Sequence, residues 1–265
     1  MFFTKYPHPA NFSFGAADVG LEVENFAGGI ARLRASGRWP EGRMGLAPLE
    51  MPKAVKKATL KVDGGRFTVG GISGEFGVMG EKSIWQIEVP EGSRYYGQGE
   101  KSLGEFELSG YRTRFWNTDV WSDFPAQQWG ENHLDPPYFS TPYIAVSTPD
   151  GWIGLLLDNP YPAWMETPGK DESRVFVEWQ RTSTKLILGS EGGEPNLIVL
   201  TDLTLAGLTQ KLQKLIGTTP TPPLWSLGYH QSRWGYGGRE DLMKLDAEFT
   251  RHGIPCDGLW MDLDY

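Results

Sequence analysis

Two carboxylates follow an apolar run close to the last residue of the chain. Residues 258–265 have the composition of a buried strand that ends in two carboxylates, Asp262 and Asp264, with one residue between them. Acidic side chains at the carboxyl end of a strand, after a strand–helix unit, are typical of the active-site face of an α/β barrel. The pattern indicates the front part of a larger enzyme.

A polar and aromatic loop is expected at the same end of the sheet. Residues 231–238 follow the first predicted strand and include Arg233 and Trp234. Parallel strands place these residues beside Asp262, on the face where barrel enzymes bind ligands. An indole can stack on a sugar ring, and a carboxylate can accept hydrogen bonds from adjacent hydroxyl groups. The alternative is a structural ion pair of Arg233 with Asp262 or Asp264, and the spacing favours neither interpretation.

Other chemistries have little support in the sequence. The four histidines are scattered without the spacing of metal ligands: His8, His133, His230 and His252. At a predicted strand end, His230 is expected to be packed or hydrogen-bonded rather than catalytic. Cys256 has no nucleophile motif around it. Residues 97–99 lack the pattern and the helix of a phosphate loop.

The chain beyond residue 223 predicts a strand–helix–strand unit. An apolar strand is expected at 224–230, and a second strand at 257–263. Between them, the 3–4 residue spacing of apolar positions at 239–252 predicts a helix, which Gly253 and Pro255 end. Parallel strands need neighbours, so we expect aggregation, disorder after residue 223, or pairing with a missing C-terminal part of the barrel.

The chain before this unit is mostly β. Between residues 20 and 200, short runs of β-branched and aromatic residues alternate with Gly, Pro, Asp and Asn, which predicts a β-sandwich. A helix is predicted at 201–216. The predicted strand segments are a hairpin of 58–62 and 66–69 around residues 63–65, a hairpin of 142–147 and 152–157 around residues 148–151, and a strand at 173–179.

Composition narrows the class of partner and the compartment. A formal charge of −8 without a Lys/Arg block argues against nucleic acid or an anionic membrane. One cysteine, no signal-peptide pattern and no membrane-length apolar run favour the cytoplasm. Eleven Trp, ten Tyr and thirteen Phe suit either aromatic packing in sheets or contacts with sugars.

Several motifs together carry a family resemblance. They are residues 95–100 with a Gly-x-Gly-Glu segment, 115–119, 223–236, 254–257 and 260–265. In combination they resemble glycoside hydrolase family 31, which includes α-glucosidases, α-xylosidases, α-glucan lyases and transglycosylases. The resemblance implies a mainly β chain. It has a galactose-mutarotase-like β-sandwich at 1–218, a Pro-rich linker at 219–223, and the first β–α–β of a (β/α)₈ TIM barrel at 224–265.

The resemblance also implies roles for single residues. Asp119 matches a loop aspartate that contacts substrate, although it is also a plausible turn residue after Asn117. Trp234 matches the aromatic residue lining the pocket. Asp262 and Leu263 match the pair that contacts the non-reducing sugar. Glu100 is expected to be structural.

The implied activity is that of a retaining α-glucosidase acting on terminal α-linked glucose of oligosaccharides, without a metal or organic cofactor. Retention needs two carboxyl groups about 5 Å apart. In the family these are aspartates on later barrel strands, so we expect no catalytic residue in this chain and no activity from it alone.

The alternatives are an α-xylosidase or transglycosylase on the same scaffold, or a stand-alone carbohydrate-binding module. The expected partners are an α-linked oligosaccharide and the missing part of the barrel. A homo-oligomer is left open.

Overall fold

The computed structural model describes residues 7–39, 49–60, 65–100, 106–115, 117, 138–169 and 184–263. The chain divides into two compact units, Met1–Gly217 and Thr218–Tyr265. The described part of the first unit consists mainly of antiparallel strands, with one α-helix near its end. The described part of the second unit is a strand–helix–strand arrangement preceded by a short 3₁₀ helix.

The strands of the first unit form two sheets. In chain order they are β1 (Ser13–Phe14), β2 (Gly20–Phe26), β3 (Ile30–Ser36), β4 (Ala54–Leu60), β5 (Arg66–Val69), β6 (Ile72–Met79), β7 (Lys82–Glu88), β8 (Arg94–Gly99), β9 (Arg112–Phe115), β10 (Ser140–Thr148), β11 (Gly151–Leu157), β12 (Ala163–Glu166), β13 (Leu186–Ser190) and β14 (Asn196–Asp202). One sheet has the order β4-β2-β3-β14-β11-β10-β8. The other has the order β1-β6-β7-β13-β12-β9, with β5 also paired to β6.

Alternating side chains build the core between the two sheets. In β3, Ala31 and Leu33 are buried while their neighbours are only half-buried, which is the period-two pattern of a strand with one apolar face. Leu33 and Leu155 from one sheet share an apolar cluster with Trp85 and Leu188 from the other. This cluster confirms the predicted β-sandwich, because the inner faces of both sheets contribute to one core.

Helix α1 (Leu205–Ile216) covers the outer face of one sheet. Leu208 and Leu215 pack against Ile198 and Leu200 of β14, so that strand is buried on both faces. The apolar run at 197–200 of β14 therefore needs no polar alternation. The sequence predicted a helix from residue 201, but residues 201 and 202 pair with β11 as the last residues of β14.

One of the two predicted hairpins is confirmed and the other is wrong. Strands β10 and β11 pair in antiparallel fashion on either side of the turn predicted at 148–151. Strand β4, however, pairs with β2, whereas β5 pairs with β6 in the other sheet. The reason is the two-residue Gly70-Gly71 turn, whose φ values of 55° and 80° suit a tight β5–β6 hairpin. The strand predicted at 173–179 lies outside the described residues.

The second unit is a parallel strand pair joined by a helix, as predicted. Its elements are β15 (His230–Arg233), α2 (Arg239–His252) and β16 (Gly258–Met261). Gly253 has φ 65° and donates to Thr250 O at 3.1 Å, while Ile254 N donates to Phe249 O at 3.0 Å. These two bonds form the Schellman motif that ends the helix. Within the described residues, no helix combines the length and apolar character needed to cross a membrane.

The first strand of this unit was predicted at 224–230, and that prediction is wrong except at His230. The observed strand β15 instead includes residues 231–233, which were predicted as loop. Leu224–Leu227 is a 3₁₀ helix rather than a strand. Pro223 begins it, because its carbonyl oxygen accepts from Ser226 N at 3.0 Å and from Ser226 Oγ at 2.7 Å. Gly228 N then donates to Trp225 O at 3.1 Å and closes the turn. An apolar run cannot by itself distinguish such a turn from a strand.

Candidate functional site

The predicted site residues of the second unit lie at one end of its parallel strands. Arg233 of β15 is directly opposite Met261 of β16, and Trp234 and Asp262 are the next residues of the two segments. Leu263 follows Asp262. The structure therefore brings Trp234, Asp262 and Leu263 to the carboxyl end of the same strand pair, where the sequence predicted them. These three residues are called the strand-end rim below.

The strand-end rim is open to solvent. Trp234 is 61% exposed and Leu263 is 84% exposed, and Asp262 is exposed as well. The Asp262 carboxylate accepts a hydrogen bond from the backbone N of Leu263 at 2.8 Å, which orients one of its oxygens. Among the described side chains, Arg233 makes no ion pair with Asp262. Asp264, the other partner considered for Arg233, lies outside the described residues.

The loop between β15 and α2 is hydrogen-bonded to both of these elements. Gly235 and Gly238 have φ values of 95° and 147°, which residues other than glycine rarely adopt. The Tyr236 hydroxyl accepts from Gln231 Nε2 at 3.2 Å, and Gly237 N donates to Asp241 Oδ2 at 2.8 Å. These contacts connect the loop to β15 on one side and to α2 on the other. Trp234 therefore lies in a loop that hydrogen bonds connect to both neighbouring elements.

His230 has the structural role that the sequence predicted. Its ring contacts the rings of Trp225 and Trp260, and each ring nitrogen has a hydrogen-bond partner. Among the described residues, no group of three or more His, Cys, Asp or Glu side chains could hold a metal ion. The described geometry of this unit places an aromatic ring and a carboxylate directly after two adjacent strands.

The fourth predicted site residue, Asp119, lies outside the described residues. The nearest described residue is Asn117, whose Oδ1 accepts from Ser140 Oγ at 2.5 Å. Glu100 accepts from the backbone N of Tyr138 at 3.1 Å, which is a contact expected of a structural residue. The described residues on either side of the segment that contains Asp119 are therefore Asn117 and Tyr138.

Gln98 is a residue of this region that the sequence did not single out. It is fully buried and has φ 70°, a left-handed conformation that is uncommon outside glycine. Its Oε1 accepts from Thr113 Oγ1 at 2.7 Å, while its Nε2 has no partner. Gly97 and Gly99, on either side, also have positive φ. The Gly-x-Gly spacing was the available signal, because it marks backbone that departs from a regular strand.

Comparison with known families gives two matches along the chain. The model of the glycosyl hydrolase 31 N-terminal galactose mutarotase-like domain matches residues 54–166. The model of the glycosyl hydrolases family 31 TIM-barrel domain matches residues 219–265. Together they cover more than half of the chain, in the order that the resemblance implied.

Individual relatives are similar to this chain over part of their length. Alpha-glucosidase 2 of Bacillus thermoamyloliquefaciens is 27% identical over 190 residues, which cover 72% of this chain and 22% of the relative. The GH31 dextranase of Flavobacterium johnsoniae complexed with glucose has a TM-score of 0.70 at 20% identity, over 94% of this chain and 32% of its own. A GH31 alpha-xylosidase from a soil metagenome has a TM-score of 0.60 at 15% identity, over 90% and 38%. The chain spans about a fifth of the length of the curated relatives that it matches.

Proposed function

Because this chain belongs to glycosyl hydrolase family 31, we propose that it is the N-terminal part of a retaining α-glucosidase that removes terminal α-linked glucose from oligosaccharides. The observation that carries the proposal is the strand-end rim. Trp234 and Asp262 follow the paired residues Arg233 and Met261, so they stand on neighbouring strands at the same end of the sheet. The curated relatives named alpha-glucosidase support the choice of α-glucoside.

The side chains of the strand-end rim suit the ring face and the adjacent hydroxyl groups of a terminal sugar. An exposed indole offers a flat apolar face for a pyranose ring, and a carboxylate accepts from two adjacent hydroxyl groups. Asp262 has its carboxylate oriented by Leu263 N and is not neutralised by Arg233. We assign Trp234 to the pocket wall and Asp262 and Leu263 to the non-reducing sugar. Asp119 is proposed as a further substrate contact.

The two catalytic carboxylates are proposed to lie outside this chain. Double displacement with retention needs a nucleophile and an acid/base group about 5–5.5 Å apart. Asp262 is assigned to binding, so it is not available as the nucleophile. The relatives are about five times as long as the matched segment, which leaves room for later barrel strands that supply both groups. The 265-residue chain alone is therefore proposed to bind one end of the substrate without hydrolysing it.

The proposal is tested with the protein encoded by the complete reading frame that contains this sequence. We expect it to hydrolyse an aryl α-glucoside, with α-glucose as the first product seen by NMR. Asp262→Asn keeps the shape but removes the charge, so kcat/KM should fall about 10- to 100-fold, the value of one hydrogen bond to a charged group. Asp246→Asn is the matched control, because Asp246 is exposed on α2.

Three results would contradict the proposal. An aryl α-xyloside hydrolysed faster than the matching α-glucoside would place the protein among α-xylosidases. Equal losses for Asp262→Asn and Asp246→Asn would remove Asp262 from substrate binding. Turnover of the aryl α-glucoside by the purified 265-residue chain, above a mock preparation, would show that the catalytic groups are present here.

A further inference from the structure

Three aromatic rings contact one another in the second unit. The ring of His230 lies 5.6 Å from that of Trp225, at an interplanar angle of 39°, and 5.7 Å from that of Trp260, at 24°. Trp225 belongs to the 3₁₀ helix at Leu224–Leu227, and Trp260 belongs to β16. His230, the first residue of β15, therefore connects the elements before and after it.

The hydrogen bonds of the three rings determine where the imidazole carries its proton. Trp260 Nε1 donates to His230 Nδ1 at 2.8 Å. An indole nitrogen can only donate, so Nδ1 must be the unprotonated acceptor. The neutral ring then carries its proton on Nε2, which lies 3.2 Å from the carbonyl oxygen of Trp225 and donates to it. A single tautomer satisfies both nitrogens.

Gly258 provides the space for the bond between His230 and Trp260. It is directly opposite His230 in the parallel register. A Cβ atom at this position would lie 2.5 Å from His230 Nδ1 and 3.1 Å from Trp260 Nε1. Any larger residue would displace one of the two rings. Asp262 comes two residues after Trp260 and one residue after the end of β16.

We propose that His230 is a positioning residue that acts through Trp260. Its unprotonated Nδ1 fixes the indole of Trp260, and the fixed indole holds the end of β16 from which Asp262 extends. A binding group is effective when its supporting residues keep it within a fraction of an ångström of its working position. The link to sugar binding rests on the proposed function, whereas the tautomer and the indole contact do not.

The competing explanation is ring packing alone. Half of the surface of Trp225 and of Trp260 is exposed, and a flat ring in contact with both would cover part of the two indoles whatever its chemistry. Phenylalanine would serve that purpose, because it keeps the ring and lacks both nitrogens. Asparagine offers the opposite test, since its Oδ1 acceptor stands at the same distance along the side chain as Nδ1 but has no ring.

The first experiment uses NMR on the ¹⁵N-labelled protein from the complete reading frame, in which further barrel strands are expected to cover the second unit. The Trp260 indole signal is assigned by its loss in Trp260→Phe. We expect neutral His230 to carry its proton on Nε2. We also expect the Trp260 indole proton to exchange with water roughly three- to tenfold faster in His230→Phe than in the unsubstituted chain, the factor for one net hydrogen bond. His230→Asn should restore slow exchange, and His252→Asn, at the exposed end of α2, should leave it unchanged.

A proton found on Nδ1 of the neutral ring would overturn the proposal without any variant. Unchanged indole exchange in His230→Phe would do the same and would establish ring packing alone. The second experiment measures kinetics on the protein from the complete reading frame. There His230→Phe should raise KM for the aryl α-glucoside about tenfold with a smaller change in kcat, and His230→Asn should recover most of the loss.

The two experiments separate the two proposals. If the proposed function is wrong, the unsubstituted protein shows no α-glucoside turnover while the NMR result stands. If the positioning role is wrong, His230→Phe loses the indole hydrogen bond and yet keeps the KM and kcat of the unsubstituted protein.

Discussion

Gln98 and Thr113 form a cross-sheet contact that determines the cost of a single polar substitution. Gln98 belongs to β8 and Thr113 to β9, which lie in different sheets, and both residues are fully buried. The Gln98 amide has one group paired and the other without a partner. Removing the remaining bond would leave two buried polar groups without partners on one side chain, which is costly at 1–3 kcal/mol each.

We expect Thr113→Val to lower the free energy of unfolding by about 1–3 kcal/mol, because valine keeps the shape of threonine and lacks its hydroxyl. Urea denaturation of the 265-residue chain measures the change. Thr68→Val is the matched control, since Thr68 Oγ1 pairs with Ser73 Oγ at 2.9 Å on the exposed surface, and it should change stability by less than about 0.5 kcal/mol. A Thr113→Val cost that is the same in a Gln98→Met background would refute the contact as its cause.

The left-handed backbone conformation of Gln98 and its contact with Thr113 could not be predicted from the sequence. A glycine pattern indicates irregular backbone, but it does not reveal which neighbour adopts a positive φ or which strand it meets. Thr113 lies 15 residues away along the chain and in the opposite sheet. Trp234, Asp262 and Leu263 were easier to place, because strand ends in a strand–helix–strand unit are local features.

Among the elements, helix α1 is connected to the end of β14 by an ion pair and a hydrogen bond of Asp202. Asp202 Oδ2 lies 2.7 Å from Lys211 Nζ, and Asp202 Oδ1 accepts from Thr204 N at 3.0 Å. The hydrogen bond from Lys211, and then that from Thr204, lowers the pKa of Asp202 from 3.8 to about 2. Thr204 caps the helix by accepting from Gly207 N at 3.0 Å. The ionised carboxylate thus connects the end of β14 to α1.

This pKa predicts a pH-dependent contribution to stability. A carboxylate with a depressed pKa stabilises the folded state above its unfolded pKa of about 3.8, and the contribution is lost as the pH falls through about 2. Asp202→Asn should therefore lower the urea midpoint at pH 7, and the difference from the unsubstituted chain should shrink below about pH 4. Far-ultraviolet circular dichroism across this pH range measures it.

The control for this prediction is Asp150→Asn, in the exposed turn between β10 and β11. It should leave the midpoint unchanged at every pH, because substitutions on the exposed surface are usually close to neutral. A difference between Asp202→Asn and the unsubstituted chain that stays constant down to pH 3 would show that lost geometry, rather than lost charge, explains the effect.

The elements that the sequence predicted correctly are those fixed by local signals. Helix α2 was predicted with its observed bounds, because apolar spacing and the Gly253 stop agree. The 3₁₀ helix at Leu224–Leu227 was mistaken for a strand, since its apolar residues give no period. The pairing of β4 with β2 was also missed. Which sheet a strand joins depends on partners far along the chain, and the nearest turn signal does not report them.

At the scale of the whole molecule, the two units differ in how they bury apolar surface. Helix α1 has Leu208 and Leu215 fully buried, whereas no residue of α2 is fully buried. In the second unit, Trp260 is 51% exposed and Leu227 70%. Backbone hydrogen bonds that lack buried apolar cover open easily, so local stability should differ sharply along the chain.

Hydrogen exchange on the 265-residue chain tests this difference with two helices of similar length, 12 residues in α1 and 14 in α2. We expect the amides of α2, β15 and β16 to exchange on the order of 100-fold faster than those of α1 and β14, because little apolar burial opposes their opening. In the protein from the complete reading frame, additional barrel strands would pair with both edges of the β15–β16 sheet and slow the exchange of these amides to that of α1. Protection of α2 equal to that of α1 in a monodisperse, monomeric 265-residue chain would contradict the expectation, since the second unit would then be stable without further strands.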